Sequence, residues 1–233
     1  MNTPGHVAAI IVAAGKGTRM GPDRDKLFLP VGGRPLVAHA WQVFDRAPEI
    51  DELIVVVRDG MQDAFQEIAA AFVFKKPFRL VPGGKERQDS VWNGLKALTP
   101  EIELVAIHDG ARPRPAPALI RDTISAAREM GAAVAAQRVT DTLKESDGGT
   151  LIARTVDRSK LWAVQTPQTF RVEVIRKALA AVREGGLHVT DDTAACECIG
   201  HPVRLVESTA PNPKLTSPAD LPFIEWILTQ PFG

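Results

Sequence analysis

Five short segments of this chain are apolar almost without interruption: residues 6–13, 53–57, 78–81, 104–107 and 132–136. Runs of that length rich in Val, Ile, Leu and Ala suit strands buried on both faces, because neither side of the sheet then meets water. Between these runs the period changes. In 35–47, Leu36, Val37, Ala40, Trp41 and Phe44 fall on one helical stripe, with a proline at the entry. Residues 88–98 and 116–130 follow the same spacing. Strands alternating with helices predict right-handed crossovers and an α/β fold: Rossmann-like, a mainly parallel sheet with helices on both faces.

Beyond residue 136 the rhythm breaks. Segments 138–145 and 150–157 alternate polar and apolar residues around Ser146-Asp147-Gly148-Gly149, a turn signal, and no helix follows them. This predicts an inserted β-hairpin arm at about 138–160. An isolated hairpin is only marginally stable in water, so its apolar positions need a partner surface, either the same domain or a second subunit. Residues 174–184 and 191–199 then read as helices, 203–207 as a strand and 218–228 as a closing helix. No repeat or linker divides the chain, and a single domain over 1–233 is expected.

Composition acts mainly by exclusion. Lys plus Arg equal Asp plus Glu at 28 each, so bulk charge recommends neither nucleic acid nor membrane as a partner. Any anion site must be a local cluster. The apolar run 7–14 is too short to span a bilayer and has no cationic region before it, which reads as a strand rather than a signal peptide. Cys196 and Cys198 match no zinc or redox spacing and would face apart on a helix. Free thiols in a reducing cytoplasm fit that usage.

Candidate chemistry begins directly after the first strand, at Ala13-Ala14-Gly15-Lys16-Gly17-Thr18-Arg19-Met20. In a doubly wound sheet this loop lies at the carboxyl edge, where ligands bind. Glycines let the backbone approach a phosphate, and amides and cations neutralise it. A Walker loop would need Gly-x-x-x-x-Gly-Lys-Ser/Thr, which is absent. A dinucleotide loop would need a third glycine at position 20, where Met stands and Gly21 comes one residue late. Lys16, Arg19 and the following Lys26 supply more charge than a dinucleotide needs and favour a triphosphate. The plainer alternative is a glycine-rich turn with solvated cations.

The first loop resembles that of nucleotidyltransferases that activate sugars and polyols. Seven later strings narrow the match: Gly83-Gly84-x-x-Arg87-Gln88-Asp89-Ser90-Val91-x-Asn93-Gly94-Leu95, His108-Asp109-Gly110-Ala111-Arg112-Pro113, Asp141-Thr142-Leu143-Lys144, Val156-Asp157-Arg158, Thr166-Pro167-Gln168-x-Phe170, Val189-Thr190-Asp191-Asp192 and Asn212-x-Lys214-x-Thr216-x-Pro218-x-Asp220. In this order they resemble the 2-C-methyl-D-erythritol 4-phosphate cytidylyltransferases from about Val7 to Asp220. The chain departs from the family's usual Pro-Lys-Gln at Asp25-Lys26-Leu27, and has Gly110 where Ala is usual. Altered loop packing around a retained Lys26 is the expected consequence.

The resemblance implies transfer of CMP from CTP to 2-C-methyl-D-erythritol 4-phosphate, giving 4-diphosphocytidyl-2-C-methyl-D-erythritol and pyrophosphate in isoprenoid precursor biosynthesis. The alternative is a cytidylyltransferase for another polyol phosphate such as ribitol 5-phosphate. The acceptor's phosphate oxygen attacks the α-phosphorus of CTP, so catalysis is mostly positioning and preorganised positive charge. The resemblance makes Arg19, Lys26 and Lys214 catalytic. It gives nucleotide contacts to Ala13, Ala14, Gly15, Lys16, Gly17, Thr18, Gly83, Gly84, Ser90 and Asp109. Acceptor contacts fall to Asp109, Arg112, Thr142, Arg158, Thr166, Thr190 and Lys214. It implies Mg²⁺ bound mainly through the CTP phosphates, with no protein metal ligand, and a homodimer whose arms enter each other's sites.

Three positions have plainer readings. Ser90 could cap a helix N-terminus, orient the loop before it, or touch the base. Asp109 could hold ribose and acceptor hydroxyls or cap the next turn. His108 reads as packing, because the attacking phosphate is already anionic and needs no strong general base.

Overall fold

Val7, Ala9, Ile11 and Ala13 of the first strand, β1 (His6–Ala13), pack into one apolar layer, while Ala8 and Ile10 pack into the other. That alternation makes the strand the centre of a sheet covered on both faces. The computed structural model describes residues 5–15 and 25–232. After a 3-10 turn at Lys26–Phe28, two short paired strands, β2 (Pro30–Val31) and β3 (Arg34–Pro35), lead into α1 (Leu36–Arg46). The chain continues through β4 (Glu52–Val57), α2 (Gln62–Phe72), β5 (Phe78–Pro82), α3 (Arg87–Lys96), β6 (Ile102–Asp109), α4 (Pro117–Met130) and β7 (Ala132–Arg138). It then forms β8 (Lys144–Ser146), β9 (Ile152–Thr155), β10 (Trp162–Arg171), α5 (Val172–Glu184), α6 (Asp192–Cys198), β11 (Arg204–Glu207) and α7 (Leu221–Thr229).

The main sheet has seven strands in the order β11-β7-β10-β6-β1-β4-β5. Helices α1, α2 and α4 supply Trp41, Phe44, Phe65 and Ile124 to one face, and α3, α5 and α6 supply Leu95, Leu179 and Ala195 to the other. Full burial of each large apolar side chain contributes about 1.5–3 kcal/mol, and Trp41, Phe44, Phe65 and Leu95 are all fully inside. The two layers hold the Rossmann-like, mainly parallel fold that the apolar periods predict.

Two elements depart from those periods. β10 runs antiparallel to both β6 and β7, in the middle of an otherwise parallel sheet. Its sequence carries Gln165, Pro167 and Gln168, which disguise it as a loop. Pro167 is accommodated where the ladder to β7 shifts register between Val164 and Gln168, because proline has no amide proton to donate there. Helix α2 also lacked a clear signal; it buries only Phe65 and Ile68, too narrow a stripe to stand out. The predicted hairpin exists, yet its strands are shorter than 138–145 and 150–157. Only β8 and β9 pair, around the Ser146–Gly149 turn, and Arg138 belongs to β7 of the main sheet.

The chain runs outward from β1 through β4 to β5, then returns to the other side of β1 as β6. This reversal leaves a crevice beyond the carboxyl ends of β1 and β6, where open α/β sheets bind ligands. Ala13 and Asp109 end those two strands.

Candidate active site

The floor of this crevice is backbone. Gly83, after β5, donates its amide to the Val57 carbonyl at 2.7 Å and lies against Ala14. A Cβ on Gly83 would sit 2.4 Å from the Ala14 Cβ, and one on Gly84 would sit 2.2 Å from the Asp89 Cβ. Both glycines are therefore required by close approach rather than by an unusual dihedral. Ser90 Oγ accepts the Gly84 amide at 3.1 Å and donates to the Glu86 carbonyl at 3.2 Å. Glu86, not Ser90, is the N-cap of α3, and its amide donates to Asp89 Oδ2 at 3.2 Å. Ser90 thus orients the glycine loop from inside the first turn, which corrects the capping alternative. Gly15 is exposed, with open space where its side chain would be. Lys16, Gly17, Thr18 and Arg19 lie outside the described residues.

Asp109 is the electrostatic centre. Its Oδ1 accepts from Arg87 Nε at 3.3 Å and its Oδ2 from Lys214 Nζ at 2.7 Å. Burial alone would raise this carboxyl, but the Arg87 guanidinium and then the Lys214 ammonium outweigh it and hold the group well below the usual carboxylate range. Arg87 also donates from Nη1 to Asp192 Oδ2 at 2.8 Å. Burial in turn keeps Asp192 above its ordinary value despite that guanidinium.

Behind Asp109 a hydrogen-bonded chain fixes the strand end. The Asp109 amide donates to Thr166 Oγ1 at 3.1 Å, and that hydroxyl lies 3.1 Å from His108 Nδ1. His108 Nε2 meets the Arg112 carbonyl at 2.9 Å. The imidazole is fully buried beside Phe44, ring centres 4.8 Å apart, and burial lowers it to about 4. It is a neutral strut at physiological pH. Arg112 turns its guanidinium to the Asn212 carbonyl at 2.6 Å, and Asn212 donates back to the Thr166 carbonyl at 2.8 Å. The segment carrying Lys214 is thereby tied to both β6 and β10.

Lys26 reaches the same segment from the start of the chain. Its Nζ donates to the Leu215 carbonyl at 2.9 Å, one residue beyond Lys214. The Leu215 amide in turn donates to the Ala111 carbonyl at 2.9 Å. The departures flanking Lys26 are absorbed locally. Asp25 Oδ1 caps the 3-10 turn by accepting the Leu27 amide at 3.0 Å, its second oxygen pairs with Arg58, and Leu27 is buried in the core.

Of the residues singled out by sequence, the fold therefore gathers Ala13, Ala14, Gly83, Gly84, Ser90, Asp109, Arg112, Thr166, Lys26 and Lys214 around one crevice. Thr190 is exposed immediately before Asp191, whose Oδ1 caps α6 by accepting the Ala194 amide at 2.9 Å. Thr142 and Arg158 sit on the exposed arm, with Arg158 donating to the Thr140 carbonyl. Sequence reasoning quoted Arg87, Asp192, Gln168 and Asn212 within strings but gave them no part. Gln168 donates to Asp191 Oδ2 at 2.9 Å and accepts the Asp192 amide at 3.1 Å, so it seats the turn that holds Thr190. The signal that could have found these four was their place inside motif strings on separate, long-range segments.

A glycine loop at the carboxyl edge, an ionised carboxylate held by Lys214 and Arg87, and Lys26 on the adjoining Leu215 carbonyl suit an α/β nucleotidyltransferase. The family model described as IspD, 2-C-methyl-D-erythritol 4-phosphate cytidylyltransferase, matches residues 7–230. The chain is 44% identical over 220 residues to the 2-C-methyl-D-erythritol 4-phosphate cytidylyltransferase of Geobacillus kaustophilus, covering 94% of this chain and 96% of that protein. The counterpart from Desulforamulus reducens is 45% identical over 219 residues, covering 93% of each. The crystal structure of 4-diphosphocytidyl-2C-methyl-D-erythritol synthase from Anaerococcus prevotii superposes with a TM-score of 0.84 at 32% identity, covering 97% of this chain and 99% of that one. The chain belongs to the 2-C-methyl-D-erythritol 4-phosphate cytidylyltransferase family.

Proposed function

We propose that the chain transfers CMP from CTP to 2-C-methyl-D-erythritol 4-phosphate, releasing pyrophosphate, with the crevice between β1 and β6 as its site. The observation that carries this is the convergence of Lys214 on Asp109 and of Lys26 on Leu215. In this reading the two ammonium groups, brought to one segment, serve the negative charge that spreads over the α-phosphate oxygens, which is the main catalytic requirement of phosphoryl and nucleotidyl transfer. Gly83, Gly84 and the backbone at Ala13 and Ala14 form the floor on which the cytosine is read, and Ser90 keeps that floor in place. Arg19 and Lys16 complete the triphosphate contacts in this reading. Asp109 holds ribose and acceptor hydroxyls, with Arg112, Thr166 and Thr190 on the acceptor side.

Mg²⁺ enters as the counter-ion of the triphosphate, whose charge it neutralises when bound. Both Asp109 oxygens are engaged by cations, and the described residues gather no trio of His, Cys, Asp or Glu. That donor set suits a metal carried on the phosphates with several waters rather than a protein cage.

The same reading includes a homodimer in which Thr142 and Arg158 of each arm serve the other subunit's site. It is supported by Leu151 and Ile152 on the arm, 71% and 66% exposed, apolar groups that call for a covering surface. A cytoplasmic setting is supported by two unbridged cysteines. Among the described residues, no helix is long and apolar enough to cross a membrane.

Incubation with CTP, Mg²⁺ and either methylerythritol 4-phosphate or ribitol 5-phosphate, with pyrophosphate release followed, tests the reaction. Faster turnover with ribitol 5-phosphate would overturn the acceptor assignment. For the shared site, mixing Lys26→Ala with Arg158→Ala should restore activity at one of the two mixed sites; no recovery after verified subunit exchange sinks it.

A further inference from the structure

The Gly83–Ser90 string contains an arginine, Arg87, to which the proposed reaction gives no role. Its guanidinium joins two carboxylates from different elements, Asp109 at the end of β6 and Asp192 at the start of α6. Asp109 is also the partner of Lys214, the residue that has to serve the α-phosphate. In a site where the Asp109 side chain is 13% exposed, a single ammonium–carboxylate pair is weakly screened and would be slow to give up its lysine. Arg87 changes that balance. It occupies Oδ1 with a cation that stays, so Oδ2 can release Lys214 without leaving a buried carboxylate unpaired. Its second arm reaches Asp192, 1% exposed and two residues beyond Thr190.

We propose that Arg87 is a positioning residue for the transfer step: it keeps Asp109 fixed while Lys214 turns to the α-phosphate, and through Asp192 it locks the Thr190 segment to the same carboxylate. The proposal rests on the cytidylyl-transfer reading. The charged groups that face Asp109 are Arg87 from α3, Lys214 from the segment before α7, Arg112 from the loop after β6 and Asp192 from α6, with neutral His108 beside it in the strand.

Arg87→Gln tests it. Loss of a hydrogen-bonded charge partner predicts a kcat lower by about 10- to 100-fold, with the KM for CTP within about threefold. Without its first cation Asp109 binds a proton more readily, so the acid limb of the rate profile moves to higher pH. In an Asp109→Asn background the same substitution should change kcat by less than about threefold, because its partner is already gone. A purely structural role would instead lower activity by the same factor in both backgrounds and leave the acid limb in place; that result overturns the proposal. Arg87→Lys keeps a cation that cannot span both carboxylates. Smaller effects of the same sign are expected from it, and it carries the test if the Gln variant does not fold. Carboxyl-carbon NMR titration of Asp109 in the substrate-free protein gives a readout independent of turnover. An Asp109 titration unmoved by Arg87→Lys or Arg87→Gln counts against Arg87. A wild-type chain that titrates as expected but makes no product counts against the reaction instead.

Discussion

The Asp109 edge and the hairpin arm are opposite solutions to placing functional groups. Around Asp109, side chains from β6, α3, α6 and the segment before α7 are held to one another by charge-assisted hydrogen bonds, and Thr166 of β10 accepts the Asp109 amide. On the arm, β8 and β9 pair only with each other, and every residue of both strands is exposed. The first region is preorganised by its own chain. The second offers residues, Thr142 and Arg158, whose usefulness depends on what covers it. A site built from both would combine a rigid triphosphate and nucleoside half with an acceptor half completed on assembly.

Perturbing the rigid half should have the largest effect. Lys214→Ala removes a donor to the developing charge and should lower kcat by about 10²- to 10³-fold, read in the pyrophosphate-release assay. Lys26→Ala should do the same. The buried strut behind Asp109 gives the next largest effect, on stability. His108 titrates at about 4 when folded, lowered by burial from an ordinary 6.5. The unfolded chain therefore binds a proton that the folded chain refuses, and stability falls as pH drops from 6.5 through 4, by about 3 kcal/mol across the window. Urea midpoints between pH 7 and 4.5 should show this slope in the wild type and a reduced one in His108→Gln.

The arm should respond in the reverse way. Leu151→Asp with Ile152→Asp should change the stability of the fold by no more than about 0.5 kcal/mol, because both side chains already face solvent. Sedimentation of the wild type should show the proposed dimer and of this variant a monomer; a dimer that persists in the variant would deny the arm its assembly role. The smallest contrast lies in α6. Cys198 is exposed and should be alkylated by iodoacetamide in the native protein. Cys196 is buried, its thiol pushed up to about 12 by burial and then by Asp192, and should react only after unfolding.

Much of this molecule is written in local pattern. The continuous apolar run of β1, the stripe of α1 and the turn at 146–149 are each legible in neighbours along the chain. These were enough for the α/β class and the inserted hairpin, and for the expectation of a site at the carboxyl edge. β10 was hidden because its glutamines are polar and Pro167 reads as a break, and the segment becomes strand only by pairing with β6 and β7. The role of Ser90 was open for a related reason: its hydroxyl could satisfy several nearby backbone groups, and the entry angle of α3 selects among them.

The sequence by itself determined which residue types are present for triphosphate chemistry and most of the strands and helices, because both follow from short-range periodicity and motif spacing. Only the tertiary structure decided that Lys214 and Arg87 divide the oxygens of one carboxylate, and that Lys26 closes on Leu215 from the far side of the chain. Those contacts join residues 22 to 189 positions apart. They depend on the order of strands in the sheet, which no local pattern specifies, and on a burial that strengthens charge pairing only once the crevice exists.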